Sequence, residues 1–236
     1  MIRRLSLIAI MLLATGTARA AQPVDLLLVL AVDASGSVSM DRFDLQKHGY
    51  AQAFANPRII QAIRSGPFQA IAVAMVQWTG PRMQNDVVPW TIVDGTEASL
   101  QLSKRIAATP RTLFGGGTSI SGAIDHSVKL MAASGIEATR QVIDISGDGA
   151  SNNGRPVTAA RDEALALGIS INGLPILSLE PDLDDYYRNY VIGGPGAFVI
   201  AIDSYDKFAS AILEKLITEI AGLEKSPAST QFAARE

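Results

Sequence analysis

Residues 24–37 read VDLLLVLAVDASGS. The first nine, Val24–Val32, form an apolar run, interrupted only by Asp25 near its start, that stops at Asp33. Such a run is the length of one strand and lacks the alternation of a half-exposed one, so it reads as a strand buried on both faces. A strand covered on both faces implies helices above and below it. Directly after it comes Asp33-Ala34-Ser35-Gly36-Ser37, a carboxylate and two hydroxyls at the carboxyl end of the strand. Open α/β sheets bind their ligands just outside those ends.

Outward from this stretch, strand and helix patterns alternate. Asp41–Ala55 is helix-like until Asn56-Pro57 breaks it. Phe68–Trp78 is a second apolar strand, Thr79-Gly80-Pro81 a turn, and Asp86–Val93 a third strand. That connection is too short for a crossover helix, so strands two and three are expected to form a hairpin. Pro89 then places the third strand at the sheet edge. Helices are expected over Glu97–Ala108, Ser119–Ala133 and Pro156–Leu167. Further strands are expected at Gln141–Ile145, Ile169–Leu177 and Ala197–Ile202. Asp203 or Ser204 can cap a last helix with the stripe Phe208, Ile212, Leu216, Ile220 and Leu223. The expectation is an α/β fold: a single open, doubly wound sheet, mostly parallel with one antiparallel edge strand, with helices on both faces.

The composition closes several routes. With 48% hydrophobic residues, the 236-residue chain can pack a core. It has no cysteine, hence no disulfide, thiolate metal site or cysteine nucleophile. Its two histidines, His48 and His126, exclude a multi-histidine zinc site. No G-x-S-x-G elbow and no P-loop lysine motif occurs. A formal charge of −3 argues against nucleic acid as a partner.

The first twenty residues have the layout of a bacterial signal peptide. Arg3 and Arg4 precede the apolar run Leu5–Leu13, and Ala18-Arg19-Ala20 is a small-x-small cleavage site. Arg3-Arg4 leaves the choice between the general and the twin-arginine route open. Cleavage near Ala20 removes three arginines and no acid, which takes the formal charge from −3 to −6. A periplasmic or secreted protein is expected, with no membrane span after cleavage. Residues 21–224 are expected to form the domain, and 225–236 a polar tail.

Three polar clusters sit where this architecture binds ligands: Asp33 to Ser37, Thr118 after the glycine run 115–117, and Asp148 in Gly147-Asp148-Gly149. Their chemistry is hard oxygen, two carboxylates and three hydroxyls, which suits Mg²⁺, with Mn²⁺ or Ca²⁺ as alternatives. With so few carboxylates the ion would seek an external acid. D-x-S-x-S alone also fits a capped turn.

D-x-S-x-S after the first strand, a threonine after a glycine run and S-G-D-G after a later strand resemble the von Willebrand factor type A domain. The order of elements fits over about residues 24–223. The resemblance implies a metal-ion-dependent adhesion site at Asp33, Ser35, Ser37, Thr118 and Asp148. It implies that Ser35 and Ser37 bind the ion directly and that Asp33 and Asp148 act through water. Signal peptide plus such a domain also resembles a bacterial family of exported type-A-like proteins of unknown function.

The chain departs from the family pattern in three places. Gly147 replaces the threonine of T-D-G, Asp144 puts a carboxylate inside a strand, and residues 178–196 form a longer acidic, tyrosine-rich segment. Glu180, Asp182, Tyr186 and Tyr187 of that segment are candidates for a partner-binding rim, against the plainer reading of a solvated short helix. The expected function is a non-enzymatic, metal-dependent module that captures a Glu or Asp carboxylate of a protein partner. The alternatives are a metal-assisted hydrolase with Asp144 or His126 as its base, and a metal-free assembly domain.

Overall fold

The computed structural model describes residues 23–222. The expected signal peptide, the polar tail and Leu223 lie outside the described residues. The chain runs through β1 (Val24–Asp33), α1 (Met40–Ala55), α2 (Pro57–Arg64), β2 (Ile71–Trp78), β3 (Gln84–Val93) and α3 (Thr96–Ala108). It continues through α4 (Ile120–Ala132), β4 (Ala138–Gly147), α5 (Val157–Ala166), β5 (Ile169–Pro175), α6 (Leu183–Tyr186) and α7 (Phe208–Ala221). The strand order is β3-β2-β1-β4-β5. β1 pairs in parallel with β2 and β4, β4 pairs in parallel with β5, and β2 pairs antiparallel with the edge strand β3. Among the described residues no helix is long and apolar enough to cross a membrane.

All ten residues of β1 are buried, Asp25 and Asp33 included, as befits a central strand covered on both faces. Alternate side chains serve two cores. Leu26, Leu28, Leu30 and Val32 face Phe43, Tyr50 and Phe54 of α1, Leu102 of α3, and Ile212 and Leu216 of α7. Leu27, Val29 and Ala31 face Ile120 and Ile124 of α4 and Ala160 of α5. Because β2 and β4 flank β1 on opposite sides, the chain changes winding direction there. That switch point lies at the carboxyl ends of β1 and β4, where open α/β sheets bind their ligands.

Three expectations about elements need amendment. Asn56-Pro57 ends α1 and also starts α2: the Asn56 side chain accepts from Arg58 N at 3.0 Å, and Pro57 occupies the first turn, where no N–H is needed. Residues 197–202 form no strand. They run beside β5 and the residue just past its end through isolated parallel bridges, Gly173 to Val199 and Ile176 to Ile202, so the sheet has five strands. Neither Asp203 nor Ser204 caps α7 with its side chain. That helix is entered through a 3-10 turn at Tyr205–Lys207.

Candidate metal centre

The loop after β1 is shaped by its own side chains. Ser35 N donates to Asp33 Oδ1 at 2.7 Å, folding the loop back on the strand end. The Ser39 side chain accepts from Arg42 N at 3.2 Å and starts α1. Arg111 fixes the outside of the loop: its guanidinium donates to the carbonyls of Ala34 and Ser35 at 2.9 Å and of Val38 at 2.6 Å. Those carbonyls are therefore engaged by Arg111. Gln46 Nε2 donates to the Asp33 carbonyl at 3.2 Å. Arg111 and Gln46 carry no motif signal in the sequence, so only the folded chain identifies their role.

Asp33, Ser35, Ser37 and Asp148 come together. Ser35 Oγ and Ser37 Oγ are 3.0 Å apart, and Ser37 Oγ donates to Asp148 Oδ1 at 2.6 Å. Asp148 Oδ2 accepts from the Tyr205 hydroxyl at 2.8 Å and pairs with Arg42 at 3.4 Å. Arg42 also lies over the Tyr205 ring, 5.3 Å from its centre. Asp33, Ser35, Thr118 and Asp148 are buried, while Ser37 is exposed and opens the site to solvent.

Thr118 joins through its backbone. Its N–H donates to Asn152 Oδ1 at 2.9 Å, and its carbonyl accepts from Asn152 N at 2.9 Å. This sews the glycine loop to the loop after Asp148. The Thr118 hydroxyl lies beside Gly149, 3.9 Å from where a Cβ would stand. Gly115, Gly116 and Gly117 all have positive φ, a path that side chains beyond glycine rarely follow.

Asp33 Oδ2 has no hydrogen-bond partner although it is buried. Burial pushes the Asp33 carboxyl up to about 7, and the charge of Asp148 adds to the effect. A carboxylate oxygen closed off from water without a partner is costly. The fit to a small hard divalent cation is therefore good: every converging donor is oxygen, one is orphaned, and the exposed Ser37 hydroxyl gives an approach.

The acidic segment behaves residue by residue. Glu180 is exposed and accepts from Ala150 N at 3.0 Å, two residues from Asp148. Asp182 is exposed at the start of α6. Tyr186 is half-buried, and its hydroxyl accepts from Ser151 N at 3.3 Å. Tyr187 is not on a rim: it is fully buried in the core on the α4 and α5 side, because its ring points down from the helical turn onto the sheet.

The two bases considered for a hydrolase are engaged elsewhere. His126 pairs with Asp86 of β3 at 2.6 Å. Asp144 points to the α7 side of the sheet, where Lys215 meets it at 2.6 Å.

A family model described as a protein of unknown function, DUF1194, matches residues 23–224. No curated protein matches the sequence. Among solved structures, the proximal thread matrix protein 1 of the mussel byssus is similar at 15% identity and a TM-score of 0.63, covering 85% of this chain and 49% of that one. A second structure of that protein, with a zinc-occupied MIDAS motif, is similar at 13% identity and a TM-score of 0.58, covering 86% and 47%. The vWF domain of the type V pili tip protein Mfa5 from Porphyromonas gingivalis is similar at 11% identity and 0.57, covering 90% and 100%. The chain thus spans about half the length of the mussel protein. These likenesses establish the fold as that of the von Willebrand factor type A domain.

Proposed function

The chain belongs to the DUF1194 family, and on that premise we propose that it is an exported, metal-dependent protein-binding module. Asp33, Ser35, Ser37, Thr118 and Asp148 would hold a divalent ion, Mg²⁺ first and Mn²⁺ or Ca²⁺ as alternatives. The ion would supply a positive Lewis-acid centre to which a Glu or Asp carboxylate of a partner could bind. The observation that carries this reading is the buried, unpartnered Asp33 Oδ2 within a set of oxygen donors at the sheet's switch point. Among the described residues no group of three or more His, Cys, Asp or Glu could by itself hold a metal. With Asp33 and Asp148 acting through water, a bound ion would have no directly bound carboxylate and would favour an incoming acid.

We read the module as a binder and not an enzyme, since Asp144 and His126 are committed to Lys215 and Asp86. Support from relatives is of fold only: a mussel byssus matrix protein with zinc at its MIDAS motif and a pilus tip protein. The segment Met1–Ala20 supports export into the periplasm or beyond.

The test is capture of immobilised peptides that carry Glu or Asp, beside matched peptides with Gln or Asn, by residues 21–236 stripped with EDTA. Restoring Mg²⁺ or Mn²⁺ should yield capture of the acidic peptides alone, and Asp33→Ala should abolish it while remaining folded. Capture that persists in EDTA, or that treats acid and amide peptides alike, refutes the proposal.

A further inference from the structure

Two of the chain's departures from the family pattern meet at one point. Gly147, which stands where T-D-G has threonine, is the last residue of β4. A Cβ there would lie 3.0 Å from Asp33 Oδ2 and 3.1 Å from the Tyr187 hydroxyl. Tyr187 comes from the long segment after β5 and opens a π turn, Tyr187–Val191, closed by Ile192 N donating to its carbonyl at 3.0 Å. Its ring crosses β5 at Gly173, where any Cβ would collide with Tyr187 Cδ1. Two glycines on neighbouring strands thus clear the path: Gly173 admits the ring and Gly147 leaves the hydroxyl open to Asp33.

The Tyr187 hydroxyl is buried without a hydrogen-bond partner, and so is Asp33 Oδ2. Buried phenols usually find a partner. Here a donor and an acceptor, both unsatisfied, flank the one position, residue 147, where a Cβ would press on both. Rotation about the Asp33 side chain, or one buried water, joins them.

We propose that the Tyr187 hydroxyl stands in for the side chain absent at residue 147, as the neutral donor facing Asp33 Oδ2, and so acts as a positioning residue for the ion. Its metal consequence rests on the metal reading above; the pairing of Tyr187 with position 147 does not. A neutral donor suits the place, since it orients a carboxylate without adding a charge that would compete with the cation. The long segment 178–196 then has a use: it delivers a hydroxyl to the site from the β5 side.

The experiment is a double-mutant cycle on residues 21–236: wild type, Tyr187→Phe, Gly147→Thr and the pair. Mn²⁺ affinity is read by electron paramagnetic resonance, and Tm is read without metal. Tyr187→Phe should weaken Mn²⁺ by about ten- to a hundredfold, with the metal-free Tm lowered only slightly, since one neutral hydrogen bond adds little net stability. Gly147→Thr should lower Tm, because its side chain crowds Tyr187 and Asp33. The double variant should recover both Tm and Mn²⁺ affinity, the threonine hydroxyl replacing the phenol.

Wild-type Mn²⁺ affinity in Tyr187→Phe, or a double variant worse than either single, overturns the proposal. If the wild type binds no Mn²⁺, the metal reading falls. The Tm cycle then decides alone: compensation supports the pairing, and additive losses overturn it.

Discussion

Asp144 and Asp148 lie four residues apart at the end of one strand, both buried, and the molecule treats them in opposite ways. Asp144 points to the α7 side, where the fully buried Lys215 meets it at 2.6 Å and also bonds Glu219 one turn along α7. Asn172 Nδ2 donates to Glu219 at 2.9 Å, and Arg140 donates to the carbonyls of Glu219 and Ile220 at 2.8 Å, closing the end of the helix. Burial opposes the charge on Lys215, but the two carboxylates outweigh it and raise its pKa. Asp148, with Asp33, has neutral hydroxyls and the part-exposed Arg42 at 3.4 Å. One cluster carries its own buried cation and fastens α7 to the sheet. The other buries two acids without a buried cation between them, which is where the proposed ion would bind.

The contrast breaks most visibly at Lys215. Lys215→Met leaves Asp144 and Glu219 buried without a counter-charge, and removing one partner of a buried pair costs about 3–5 kcal/mol. For a domain of this size the expected fall in Tm is about 6–20 °C. Substituting Asp33 should act in the other direction. Asp33→Asn removes a buried charge that has no cation beside it and should raise the metal-free stability by about 1 kcal/mol. It should also abolish stabilisation by Mg²⁺, which in wild type is about 2.7 kcal/mol at a hundredfold excess over Kd, or about 5–10 °C. Both are read by thermal unfolding with and without EDTA. A metal response that survives Asp33→Asn would erase the distinction between the clusters.

The pH dependence sharpens it. Burial, and after it the charge of Asp144, push Glu219 up to about 7 from an ordinary 4.5. A carboxyl whose pKa is higher in the folded state binds its proton more tightly there. Its contribution to stability is therefore fully present below about pH 4.5 and is lost as pH rises through 7. Metal-free wild type should lose stability between pH 5 and 8, and Glu219→Gln should lose less over that range. An unchanged slope in the variant would mean that Glu219 is not the proton acceptor of the cluster. The smallest effect is expected at Glu180. Glu180→Gln keeps an acceptor for Ala150 N on an exposed side chain, so Tm should shift by the equivalent of less than ~0.5 kcal/mol. Its influence should appear only in capture of acidic peptides, which should strengthen as a negative rim charge is removed.

How much of this the sequence foretold differs between the two regions. The apolar run before Asp33, the hairpin marked by Thr79-Gly80-Pro81 and the edge position marked by Pro89 are local signals, and each appears in the fold. That Asp33, Ser35, Ser37 and Asp148 come together was legible because strand ends of an α/β sheet converge. The remainder was not legible because it depends on packing. Nothing local tells that Lys215, in an apolar stripe, faces Asp144, or that Tyr187 turns inward while Tyr186 beside it stays half-buried. Residues 197–202 are apolar enough for a strand, yet they touch the sheet only at isolated bridges. Asn56-Pro57 reads equally as a stop and as a start, and it is both.

The most direct test of the central claim is anomalous diffraction from crystals of residues 21–236 soaked in Mn²⁺. The account predicts one strong peak bounded by Ser35, Ser37 and Asp148, at about 2.1 Å from the two serine hydroxyls, with the hydrogen bond from Ser37 to Asp148 replaced by coordination. An empty site with that hydrogen bond intact, or a peak only at some other place on the molecule, would contradict it.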